Sequence, residues 1–141
     1  MLFRSQSVDR LKIAQRLSEQ RPPHLAPLQL CLQVNISGEA SKSGLAPAEV
    51  PAVAQAVAAL PRLRLRGLMA IPEPAGDDAA RRAPHRALRE LLATLNAPGL
   101  ALDTLSMGMS ADLEAAVAEG ATLLRVGTAV FGSRPAAISS A

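Results

Sequence analysis

Apolar positions along this chain alternate between two periods. Val8, Leu11, Ala14 and Leu17 recur at helical spacing and predict a helix over residues 8–20, with Ser7 as its cap and Asp9 in the first turn. "RPPHLAP" at 21–27 breaks it, and "LQLCLQVNI" at 28–36 is apolar enough to predict a buried strand. After the polar loop "SGEASKSG" (37–44), Pro47 opens a second helix carrying Val50, Val53, Val57 and Leu60, and Pro61 stops it. "RLRLRGLMAI" (62–71) predicts a second strand, alternating at its start and apolar at its end. Leu88, Leu91, Leu92 and Leu95 predict a helix over 82–96, with Pro84 in its first turn. "ALDTLSM" (101–107) predicts a third strand, Ser110 to Glu119 a short helix closed by Gly120, and "TLLRVGTAVF" (122–131) a fourth strand.

The order αβαβαβαβ, with strands this apolar, predicts parallel strands covered by helices. Two architectures satisfy it: a doubly wound sheet or a piece of a (β/α) barrel. No GxGxxG follows any strand, which removes support for a dinucleotide-binding sheet.

Composition narrows the chemistry. The 141 residues suit one domain, and with two Phe, no Trp and no Tyr the core must come from aliphatic residues and Met. Lacking Tyr, the chain also lacks one common general acid/base. The one cysteine, Cys31, lies in an apolar run and reads as a core residue; it excludes an internal disulfide framework and fits a cytoplasmic protein. No apolar stretch reaches membrane-spanning length, and no membrane partner is expected. The net charge of +3 is carried by thirteen Arg and two Lys. Arg81, Arg82, Arg86 and Arg89 share one predicted helix and read as a solvated face. Without stacking aromatics the basic residues do not make a nucleic-acid site. His24, in a Pro-rich loop, and His85, at a helix start, have no second ligand at useful spacing and read as surface residues. Asp77 and Asp78 read as a helix start.

In α/β folds chemistry gathers at the carboxyl ends of the strands. There the last two predicted strands carry two small polar clusters, "SMGMS" and "RVGT". Gly127 lacks a Cβ and lets its amide approach an anion, Thr128 adds an amide and a hydroxyl, and Ser110 opens a predicted helix. The set can hold a phosphate without a lysine. The plainer readings are an N-cap for Ser110, relief of crowding for Gly127 and an ion pair for Arg125.

Four segments carry a resemblance: "SVDRLKIAQRLSEQR", "LQVNISGEASKSG", "LRLRGLMAIPEP" and "TLSMGMSADLEAAVAEGATLLRVGTAVFGSR". Together they resemble the pyridoxal phosphate homeostasis protein family, a stand-alone barrel that binds pyridoxal 5′-phosphate (PLP) and is related to the N-terminal domain of alanine racemase. The resemblance implies an α/β fold, here the C-terminal half of a (β/α)8 TIM-type barrel: strands five to eight with their helices, over residues 7–134. Residues 1–6 then lie outside the family's pattern, and 135–141 form a tail. It implies a cytoplasmic cofactor carrier that turns over no substrate, with Arg125 facing the pyridine nitrogen, Gly127, Thr128 and Ser110 on the phosphate, and Ser106 and Met107 lining the pocket. The family's Schiff-base lysine lies on its first strand, ahead of the matched segments, and has no counterpart here. Gln6 stands where the family usually has His. Lys42 matches a family lysine that is not the principal anchor and is a weak alternative amine. The competing reading is a fragment of a PLP-dependent racemase of the same fold, and the missing Tyr speaks against it. An incomplete barrel would expose two sheet edges, which predicts edge-to-edge homodimers or aggregation.

Overall fold

The computed structural model describes residues 4–135. Its strands form where the chain can bury both faces. In β2 (Leu28–Gln33) the run Leu30, Cys31, Leu32 is fully buried, as a strand paired on both sides in a helix-covered sheet requires. β3 (Leu63–Met69) alternates buried Leu63 and Leu65 with outward Arg64, then becomes buried throughout from Gly67. β1 (Arg4–Val8) and the short β4 (Thr104–Ser106) complete a four-stranded parallel sheet of order β1-β2-β3-β4. Arg66 of β3 forks onto Asp103 at 2.9 and 2.6 Å and also donates to Gln29 of β2.

The helices cover the sheet with their aliphatic stripes. α1 (Leu11–Gln20) packs beside α2 (Val50–Ala58), and a 3₁₀ turn at Pro47–Glu49 leads into α2. Ser18, buried on α1, donates to the Pro61 carbonyl at 2.5 Å and ties α1 to the entry of β3. α3 (Asp78–Asn96) packs against α4 (Leu113–Ala118). The core includes Val8, Leu30, Leu32, Val57, Leu68 and Leu88, each fully buried. Each such side chain contributes about 1.5–3 kcal/mol by leaving water.

Several expectations are corrected. The chain is not laid out as strands five to eight of a barrel. Ser7 and Val8 belong to an additional first strand, not to a helix start, and α1 begins only at Leu11. The expected last strand at 122–131 does not form. Only Leu123 bridges Ser106 of β4. Backbone bonds still hold the segment along β4, from Thr122 and Leu123 to the Leu105 carbonyl and from Arg125 to the Gly108 carbonyl. The chain then turns at Gly127 into the one-turn α5 (Thr128–Phe131). Exposed Val126, Val130 and Phe131 find no second layer to pack on among the described residues, which is why the apolar run does not become a buried strand. α3 starts at Asp78, four residues before the expected point, because Asp77 caps it by accepting the Ala80 amide at 2.8 Å. Pro84 therefore lies in the second turn.

His85 lies three residues before Leu88, which puts both on one face of α3. His85 joins the inward stripe with Leu88 and Leu95 and is fully buried, so it is not a surface residue. The arginine face is not merely solvated either. Arg82, Arg86 and Arg89 converge on the buried Glu119 at the end of α4, at 2.9, 3.1 and 2.8 Å. The hydrogen bond from Arg86, helped by that from Arg82 and by both charges, outweighs burial and holds the Glu119 carboxyl below its ordinary value of 4.5. A depressed native pKa means that Glu119 stabilises the fold in full above 4.5 and loses that contribution as pH falls through the lower native value. Glu119→Gln is expected to melt several degrees below wild type at neutral pH. Thermal melts across a pH series should show this gap closing below pH 4.5.

Candidate functional site

Three chain segments end together at the carboxyl edge of β3 and β4. Met69 and Ser106 are register partners, and the 121–125 segment lies alongside β4. This brings Arg125 over the strand ends. Its guanidinium, half-buried, donates to Ser106 Oγ at 2.5 Å and to the Ala70 carbonyl at 2.8 Å. A guanidinium has five N–H donors, so others remain for a ligand. Burial pushes the Arg125 pKa down, and the nearby charge of Asp112 opposes this.

Ser106 is fully buried and passes its own proton on: Oγ donates to Gln6 Oε1 of β1 at 2.6 Å. In a flat sheet the first and fourth strands would stand about 14 Å apart. The contact requires a sheet curled enough for side chains of its two outer strands to meet across β2 and β3. Arg125, Ser106 and Gln6 thus form one chain of hydrogen bonds inside the curl.

The second cluster lies beside the first. Gly108 has φ +98°, and a Cβ there would stand 2.6 Å from Ala116 Cβ and 2.8 Å from Leu124 Cδ2. Only glycine lets the chain leave β4 in this direction. Ser110 does not open α4, whose N-cap is Asp112. Its Oγ instead accepts the Ala129 amide of α5 at 3.1 Å, joining "SMGMS" to "RVGT". Gly127 is the N-cap of α5, and a Cβ on it would meet nothing within 4 Å. The amides of Gly127 and Thr128 donate to no other described residue. The amides of Gly127 and Thr128 and the hydroxyls of Ser110 and Thr128 are groups that can donate to an anionic oxygen cluster, and the space beside Gly127 is open.

Of the residues singled out from sequence, the fold brings Ser106 and Arg125 into direct contact and joins Ser110 to the turn holding Gly127 and Thr128. Met107 is fully buried among core residues. Lys42 pairs with Glu39 at 3.6 Å. Sequence reasoning gave no role to the Ala70 carbonyl, to Asp112 or to His85. A carbonyl carries no sequence signal, whereas His85 shows one in its three-residue spacing to Leu88. A separate hollow of about 420 Å³, lined by Ile36, Ser37, Glu73, Pro74 and Pro84 among others, touches none of these residues. Among the described residues no cluster of His, Cys, Asp and Glu is set to hold a metal, and no helix is long and apolar enough to cross a membrane.

The family model for the alanine racemase N-terminal domain matches residues 4–135. The chain belongs to that family. This membership replaces the placing as the C-terminal half of a barrel: the match is to the N-terminal barrel domain, here seen as a four-stranded parallel sheet. The pyridoxal phosphate homeostasis protein of Pseudomonas aeruginosa is 70% identical over 128 residues, which cover 91% of this chain and 54% of that protein. Its Escherichia coli namesake is 52% identical, covering 91% and 55%. The chain thus spans about half the length of the curated relatives it matches. Among solved structures, PipY of Synechococcus elongatus with PLP bound superposes with a TM-score of 0.80 at 38% identity, covering 92% of this chain and 60% of PipY.

Proposed function

We propose that this chain binds PLP and serves the intracellular homeostasis of that cofactor in the cytoplasm, as a carrier and not as a catalyst. The observation that carries the reading is the half-buried Arg125 guanidinium, fixed by Ser106 and the Ala70 carbonyl beside the free amides of Gly127 and Thr128. Arg125 offers an N–H to the pyridine nitrogen. Gly127, Thr128 and Ser110 take the phosphate, and Ser106 fixes the guanidinium. Met107 backs the pocket from the core.

PLP supplies an electron-withdrawing ring when bound. Arg125 limits that chemistry: a guanidinium stays protonated and leaves the ring nitrogen without a proton. The ring is then a weak electron sink, which suits storage better than carbanion chemistry. The names of the relatives and the PLP-bound PipY support this reading over a racemase.

Titration by PLP absorbance tests it. Wild type is expected to bind PLP more tightly than pyridoxal, which lacks the phosphate. Ser110→Ala and Thr128→Ala should each lose about ten- to a hundredfold in PLP affinity, as when a charge-assisted hydrogen bond is removed. Equal affinity for PLP in all three proteins contradicts the assignment.

A further inference from the structure

The loop that presents Ser110 is held from α3 by a residue outside the phosphate cradle. His85 is fully buried, and its Nε2 lies 2.8 Å from Asp112 Oδ2. The other oxygen of Asp112 accepts the Met109 amide at 2.7 Å, and the Asp112 amide returns to the Met109 carbonyl at 3.2 Å. One carboxylate therefore closes the turn that contains Ser110. An ionised carboxylate only accepts, so His85 must donate through Nε2.

The rest of the ring argues against simple packing. Among the described residues Nδ1 is buried without a hydrogen-bond partner. In the stripe with Leu88 and Leu95 a phenylalanine would fill the same place with no orphaned nitrogen.

We propose that His85 is a positioning residue for the phosphate site: its Nε2–H holds Asp112 so that the 109–112 turn presents the Ser110 hydroxyl. This rests on the reading that Ser110, Gly127 and Thr128 hold the PLP phosphate.

A double-variant cycle with PLP as the probe tests it. His85→Phe keeps an aromatic ring and loses the donor. It is expected to weaken PLP binding about tenfold. Combined with Ser110→Ala it should lose no more than Ser110→Ala alone, the sign of coupled residues. His85→Gln, which keeps an N–H near the Nε2 position, should restore affinity. A weak Ser110→Ala beside a His85→Phe of wild-type affinity overturns this inference alone, as do additive losses. A Ser110→Ala of wild-type affinity removes the phosphate assignment, and this inference with it. Wild-type protein gives a check that needs no variant: ¹⁵N spectra of the His85 ring should place a proton on Nε2, and an unprotonated Nε2 overturns the proposal.

Discussion

Gly67→Ala is expected to destabilise the fold severely. A Cβ at this position would lie 1.8 Å from the Thr104 carbonyl oxygen and 2.6 Å from its carbon. Both are backbone atoms of the paired strand, so no side chain can turn aside to make room. The pairing of β3 with β4 consists of Gly67 with Thr104, Leu68 with Leu105 and Met69 with Ser106, too few to absorb a shift. The 121–125 segment hangs on β4 in turn. Losing β4 removes Ser106 and Arg125 together. The cost is expected to exceed about 4 kcal/mol, with a fall of roughly 10 °C or more in the thermal midpoint. Circular dichroism melts check this; a midpoint within about 2 °C of wild type contradicts the register described. Gly127→Ala is the control, because its new methyl meets nothing within 4 Å.

Arg125→Leu is expected to remove PLP binding and leave the fold standing. The guanidinium is half-buried where burial already disfavours its charge, so leucine does not disturb a stabilising ion pair. Its role is to offer donors. Two of its bonds fix it to Ser106 and to the Ala70 carbonyl, and its other N–H groups are left to donate. On the proposed reading, the ring nitrogen then loses its partner. Affinity should drop about a hundredfold or more, close to 2.7 kcal/mol. Arg125→Lys should recover only part of this, because an ammonium is a point charge that cannot span the same fork. With no Trp or Tyr in the chain, protein absorbance leaves the PLP signal clear. Leucine at wild-type affinity contradicts the role given to Arg125.

Much of the layout was legible from periodicity. The apolar runs at 28–36, 62–71 and 101–107 each contain a strand, because a run that long must be buried on both faces. The ends of the chain were not legible. β1 is a polar segment, and pairing with β2 makes it a strand where local preference favours a helix cap at Ser7. The run at 122–131 has the composition of a strand but lacks a layer to pack on, so only Leu123 bridges. The barrel placement failed with these two elements. At the site, small polar residues at strand ends pointed to Ser106, Ser110, Gly127 and Thr128. The bond from Ser106 to Gln6 depends on the curl of the sheet, which no local pattern encodes. His85 reads as a surface residue at a helix start, although its three-residue spacing to Leu88 places it on the inward face.

The cradle is tested most directly by following backbone amide resonances of the wild-type protein during titration with PLP. The amides of Gly127, Thr128 and Ala129 and the Nε–H of Arg125 are expected to shift together and saturate. Inorganic phosphate should move the three amides and leave Arg125 nearly still. Silent resonances at 127–129, with shifts instead around Pro74 and Pro84 in the separate hollow, would contradict the assignment.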